Sequence, residues 1–284
     1  MKTGKFIGFI LLLGSLGAGI GFTLAKTQVV QGLFPSKEDL SAWYFLYFLL
    51  SIFLAILIHE LGHLLSGLYQ GFSFEFFVIG FLGLKRTENR KIKLFFNKNL
   101  NTFGGVAATS PKYLDSNTLK MFANVILAGP IASLLFGILT AILVFFTSQP
   151  FSFILLCTSL MCFMIFLAVT LPSRTGIFYT DRKRYQRLRS DGLEKDIEWA
   201  FFKAYLLQLK QEPITQMDPE ELTLLTRDSA PLFQYIGYYY LIDFYKGNSE
   251  KIESLREEMA PIEKDLPKSM VVNFHKEIEK LLGR

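Results

Sequence analysis

Cysteine and histidine are both scarce, with 2 Cys and 3 His in 284 residues. Cys157 and Cys162 lie in one apolar run, which argues against a disulfide framework or a four-cysteine metal site. Charge is sparse over the first 70 residues, whereas the last hundred are rich in both signs. That asymmetry predicts a membrane part followed by a soluble part. Apolar residues are what the chain has in abundance: 51% of it is hydrophobic, with 29 Phe and a mean hydropathy of +0.32. The formal net charge of +5 comes from basic residues beside apolar segments. It fits juxtamembrane loops and excludes nucleic acid as the expected partner.

About four segments are long enough to cross roughly 30 Å of hydrocarbon, which takes about 20 helical residues. They run from about Phe6 to Ala25, Ala42 to Leu68, Leu119 to Phe146 and Phe151 to Leu171. Lys2, Lys5 and the Thr23-Leu24-Ala25 triplet give the first a signal-peptide flavour, but its apolar run exceeds a usual signal core, so a retained helix is expected. Lys85, Arg86, Arg90, Lys91, Lys93, Lys98 and Lys112 crowd the second loop. Arg182, Lys183, Arg184, Arg187 and Arg189 follow the fourth span. The positive-inside rule therefore puts both termini and the second loop in the cytoplasm.

The second span carries no charge from Trp43 to Ile58 and then reads His59-Glu60-Leu61-Gly62-His63. A charged group inside hydrocarbon costs about 2.5 kcal/mol or more, so three ionisable residues there need a task. Residues four apart share a helical face, so His59 and His63 can bind one metal ion. Glu60 then sits where a general base is needed, because zinc lowers the pKa of a bound water to about 7. A catalytic zinc site also takes a third protein ligand. His275 lies deep in the tail; Glu75, Asp115 and Asp181 are acidic residues near membrane boundaries, and spacing alone does not choose among them.

At this point the sequence resembles the site-2 protease family of intramembrane zinc metalloproteases, the M50 type. That family joins HExxH in one membrane helix to an Asp near a Pro-broken helix two spans later. The matching stretch here is Leu171-Pro172-Ser173-Arg174-Thr175-Gly176-Ile177-Phe178-Tyr179-Thr180-Asp181. The resemblance implies Asp181 as third ligand, and Pro172 supplies the break. Thr170 and Arg182 stand where the family usually has Asn and Gly. Phe72 to Phe76, Lys91 to Leu94 and Phe103-Gly104-Gly105-Val106 match the family's β-rich, membrane-edge segment, whose strand edge would hold an extended substrate. Gly129-Pro130 is similar to a family motif beside the active site, and Ser133 takes the place of its substrate-facing Asn. The resemblance covers roughly residues 42–184.

From Tyr185 onward, amphipathic helices are expected at Ile197 to Leu209, Pro219 to Arg227 (capped by Asp218), Pro231 to Tyr245, Lys251 to Met259 and Lys268 to Leu282. The tyrosines at 235, 238, 239 and 240 are read as core. The expected fold is thus mainly α: a polytopic membrane protein with a metalloprotease domain over residues 1–184 and a cytosolic helical domain over 185–284. The expected activity is Zn2+-dependent cleavage of a transmembrane protein or peptide precursor in the lipid bilayer of a prokaryotic cell. The rival reading is a catalytically inactive scaffold that recruits a partner through its tail.

Overall fold

The structure is a computed structural model and describes residues 42–283 apart from 88, 100, 101, 116 and 176. The expected first span, Phe6 to Ala25, lies outside the described residues. The chain falls into two compact units, residues 1–112 with 124–173, and 113–123 with 174–284.

Among the described residues, three helices are long and apolar enough to cross a membrane: α1 (Ala42–Tyr69), α2 (Thr118–Leu143, continued by one 3-10 turn to Phe146) and α3 (Phe151–Thr170). They match the second, third and fourth expected spans. Trp43, Phe45, Leu135 and Met164 point large apolar side chains outward on these helices. Such a surface is costly in water and suits lipid. Helix α1 packs against α3, and the small residues Ser51 and Ala55 of α1 are buried. The Ser51 hydroxyl reaches the carbonyls of Tyr47 on its own helix (2.9 Å) and Ile154 on α3 (3.1 Å). Between lipid-facing helices the hydrophobic effect adds little, so close packing and such hydrogen bonds hold the bundle. Ser159 of α3 likewise donates to the Gly137 carbonyl of α2 at 2.8 Å. The start of α2 is capped by the Asp115 carboxylate, which accepts from Asn117 N–H and the Thr118 hydroxyl.

Between α1 and α2 lies a four-stranded antiparallel sheet of β1 (Ser73–Ile79), β2 (Leu82–Arg86), β3 (Ile92–Phe96) and β4 (Val106–Ser110), in the order β3-β2-β1-β4. The β-rich segment expected from the resemblance is present: Phe72 to Phe76 overlaps β1, Lys91 to Leu94 overlaps β3, and Phe103-Gly104-Gly105-Val106 leads into β4, while β2 has no counterpart among the expected stretches. The β2–β3 register pairs Leu82 with Phe96 and Leu84 with Leu94. Alternation puts these four and Ile92 on one face, and all five are exposed. Strands β1 and β4 instead pack against α1.

The second unit is helical. After the hairpin of β5 (Arg174–Thr175) and β6 (Phe178–Tyr179) come α4 (Asp181–Arg189), α5 (Leu193–Leu209), α6 (Pro219–Thr226), α7 (Pro231–Phe244), α8 (Ser249–Met259) and α9 (Lys268–Leu281). The last five elements follow the expected helices closely, and Asp218 caps α6 by accepting from Glu220 N–H. Its core is built on Leu222, Leu225, Ile242 and Ile278. Tyr235 and Tyr240 are buried in it and Tyr238 and Tyr239 pack against it, as expected of core tyrosines.

Candidate active site

Helix α1 carries the HELGH turn in its last third, with His59 and Glu60 buried. The two imidazoles converge. His59 Nε2 and His63 Nε2 lie 3.2 Å apart, and the rings stand nearly perpendicular at 89°. Each ring is also fixed from behind by α2. His63 Nδ1 donates to the Val125 carbonyl at 2.8 Å, because a carbonyl can only accept. His59 Nδ1 meets Ser133 Oγ at 3.0 Å. With Nδ1–H engaged, the neutral ring offers a lone pair at Nε2.

Two metal–nitrogen bonds of about 2.05 Å opened to a tetrahedral angle end about 3.3 Å apart. The observed 3.2 Å between the Nε2 atoms fits that separation. The donor set therefore suits zinc on geometry as well as on chemistry.

The turn has this shape because α2 comes unusually close. A Cβ on Gly62 would stand 2.6 Å from the Ala128 carbonyl and 2.7 Å from Ala132 Cβ, and one on Gly129 would stand 2.3 Å from His63 Nε2. Pro130 lies inside α2 and has no N–H to donate to the Ile126 carbonyl one turn before it. The resemblance puts Gly129-Pro130 beside the active site; Gly62 and the Val125 carbonyl are parts of the site that residue types alone do not reveal.

Glu60 turns away from α2 toward the sheet. Gly105, which enters β4, has φ +96°, and a Cβ there would lie 2.7 Å from Glu60 Cγ and 2.9 Å from its Oε1. Only glycine combines that backbone conformation with such an approach. Edge strand β4 thus starts beside the expected general base.

The remaining acidic candidates have other duties. Glu75 accepts from the Ser110 hydroxyl and faces Arg86 at 3.6 Å across the sheet. Asp115 caps α2. His275 pairs with Glu263 at 2.7 Å in the helical unit. Asp181 opens α4 directly after the buried N-cap residue Thr180. Ser133, expected to face substrate, is fully buried behind His59.

A comparison with family models matches residues 47–282 to Peptidase family M50. The chain belongs to peptidase family M50. Members are membrane metallopeptidases, typically zinc-dependent, that hydrolyse peptide bonds within the membrane. With three apolar helices of spanning length, this M50 chain is an integral membrane protein. The match runs through the C-terminal helices to residue 282. The expectation that the family resemblance ends near residue 184 is corrected accordingly: the helical tail is part of what the family model describes. No curated protein and no solved structure matches the chain.

Proposed function

We propose that this M50 peptidase is an active zinc endopeptidase that cuts a transmembrane protein or a peptide precursor, with His59, His63 and Asp181 as ligands and Glu60 as general base. The observation that carries the reading is the pair of Nε2 atoms 3.2 Å apart, each ring held through Nδ1. Two histidines with a carboxylate suit a catalytic zinc that keeps a position open. Zinc, when bound, supplies the Lewis acidity that polarises the scissile carbonyl and acidifies a water. Glu60 takes the proton of the attacking water at its carboxylate and passes it to the leaving amine. Ser133, buried beside His59 Nδ1, orients that ring.

Edge strand β4 suits an extended substrate. Backbone pairing along it would lay a peptide past Glu60 and keep the chain unwound for cutting. The exposed apolar face of Leu82, Leu84, Ile92, Leu94 and Phe96 supports a sheet seated at the membrane edge. Lys85 and Lys93, paired on the opposite face, suit anionic headgroups of the cytoplasmic leaflet. On this reading the HELGH end of α1 and both termini lie on the cytoplasmic side of a prokaryotic cell membrane, as the basic loops suggest.

Purified protein in lipid nanodiscs should hold about one zinc per chain, and Glu60→Gln should keep that zinc while cleavage of a reconstituted single-span substrate stops. A wild-type chain that binds no zinc sinks the proposal. An unchanged rate in Glu60→Gln removes the general base. If Asp181→Ala binds zinc as tightly as wild type, the third-ligand assignment is lost while the rest stands.

A further inference from the structure

The helical unit contains a cluster of buried charge that no step of proteolysis uses. The side chains of Arg187, Glu198 and Asp228 are at most 1% exposed. Arg187 of α4 donates from Nε to Glu198 Oε1 of α5 at 2.8 Å, from Nη2 to Asp228 Oδ2, and from Nη1 to the Tyr179 hydroxyl at 3.1 Å. The Tyr179 hydroxyl in turn donates to Asp228 Oδ1. Arg184 adds a 2.9 Å bond to the second oxygen of Glu198. Asp228 is the node: it sits in the loop between α6 and α7 and also accepts from Ala230 N–H at 2.7 Å. Burial pulls the Arg187 pKa down, but the facing Glu198 and Asp228 outweigh it and hold the guanidinium charged.

Buried ion pairs contribute little net stability compared with apolar residues of the same size, yet they fix geometry tightly. What this cluster fixes is the backbone on both sides of Asp181. Tyr179 precedes it by two residues, and Arg184 and Arg187 follow it by three and six on the same short helix. Both flanks are tied to Glu198 and Asp228, so the start of α4 cannot shift or turn without breaking several charged bonds. We infer that Tyr179, Arg184, Arg187, Glu198 and Asp228 are positioning residues, through which the C-terminal helical domain sets the place of the Asp181 carboxylate. This rests on the reading of Asp181 as a zinc ligand. On that reading the helical unit has a role apart from recruiting partners.

The test uses the full chain in nanodiscs, loaded with cobalt in place of zinc, because the visible bands of bound cobalt report the ligand set of the folded protein regardless of its stability. Tyr179→Phe removes one hydroxyl and keeps the ring against Phe233, so it retains the fold; Asp228→Asn removes the node's charge at constant size. Both should shift the cobalt bands toward those of Asp181→Ala and weaken zinc binding about tenfold in chelator competition. Lys203→Gln, which breaks the separate 2.7 Å pair with Glu221 in the same unit, should leave bands and affinity as in wild type. If Asp181→Ala changes the bands and Tyr179→Phe does not, the positioning inference is overturned. If Asp181→Ala itself changes nothing, the ligand reading fails first. If Lys203→Gln shifts the bands as much as Tyr179→Phe, the effect is general loosening and the inference also falls.

Discussion

Adding one methyl group at Gly129 should cost the protein its metal. The new Cβ would stand 2.3 Å from His63 Nε2 and 2.4 Å from its Cε1. Carbon and nitrogen in ordinary contact sit about 3.5 Å apart, so the ring or the helix must yield by about 1.2 Å. Metal–ligand distances tolerate only about 0.2 Å, and the displaced atom is the one expected to bind. The ring cannot swing freely either, since its Nδ1 is held by the Val125 carbonyl at 2.8 Å. A loss of about 10- to 100-fold in zinc affinity follows, the range found when groups that orient metal ligands are removed. That is about 1.4 to 2.7 kcal/mol. Gly137 on the same helix provides the control, because a Cβ there would meet Cys162 Cβ at 3.2 Å and Phe163 no closer than 3.5 Å. A shift of a few tenths of an ångström accommodates it. Chelator competition on Gly129→Ala and Gly137→Ala in nanodiscs reads both. Wild-type affinity in a folded Gly129→Ala would refute the placement of α2 against the HELGH turn.

Three other perturbations separate the parts of the site. Ser133→Ala takes away the 3.0 Å partner of His59 Nδ1 and should weaken zinc about tenfold; an unchanged affinity would show that His59 needs no support there. Gly105→Ala forces a side chain onto a φ of +96° and against Glu60. It should lower kcat about a hundredfold with zinc content intact, and a parallel loss of zinc would contradict the separate placement of base and ligands. In the helical unit, burial and the 3.0 Å bond to Glu263 push the Tyr235 phenol well above its ordinary pKa. Its contribution to stability is therefore whole below about pH 10, the unfolded value, and is lost as pH rises from there through the folded value. Melting temperatures across that range should fall less steeply for Tyr235→Phe than for wild type; equal slopes would count against the burial of this ring.

How far the sequence disclosed this protein depends on the kind of pattern involved. Three spans were legible because the bilayer sets a length and an apolar content that few soluble segments reach together. The tail helices were legible because each has its own apolar face and a breaker such as Pro219, Pro231 or Pro267. Strand β2 was not: Leu82-Gly83-Leu84-Lys85-Arg86 is held by pairing with β1 and β3, and its charges read as a membrane-flanking loop. The HELGH turn announced its chemistry through residue types at fixed spacing. Its supports were less legible: Gly129 was reached only through the family motif, Gly62 matters for the side chain it lacks, and the Val125 carbonyl belongs to the backbone. The buried cluster around Arg187 escaped for a related reason. Its members are drawn from β6, α4, α5 and the α6–α7 loop, and in sequence they look like ordinary surface charge.

The position of Glu60 follows from the pitch of α1 and explains why the site needs two different neighbours. Successive residues on a helix turn by about 100°, and residues four apart by about 40°. His59 and His63 therefore share a face, and Glu60 is set aside from it. A single packing partner could not serve both directions. Helix α2 meets the histidine face and approaches closely enough, through Gly62 and Gly129, to grip both rings. Gly105 and the start of β4 meet Glu60 so closely that a Cβ there would collide with its side chain. A peptide that adds to the edge of β4 would then lie beside the base. Closing either approach with one methyl group should disable the enzyme in different ways: at Gly129 by loss of metal, at Gly105 by loss of turnover with metal in place.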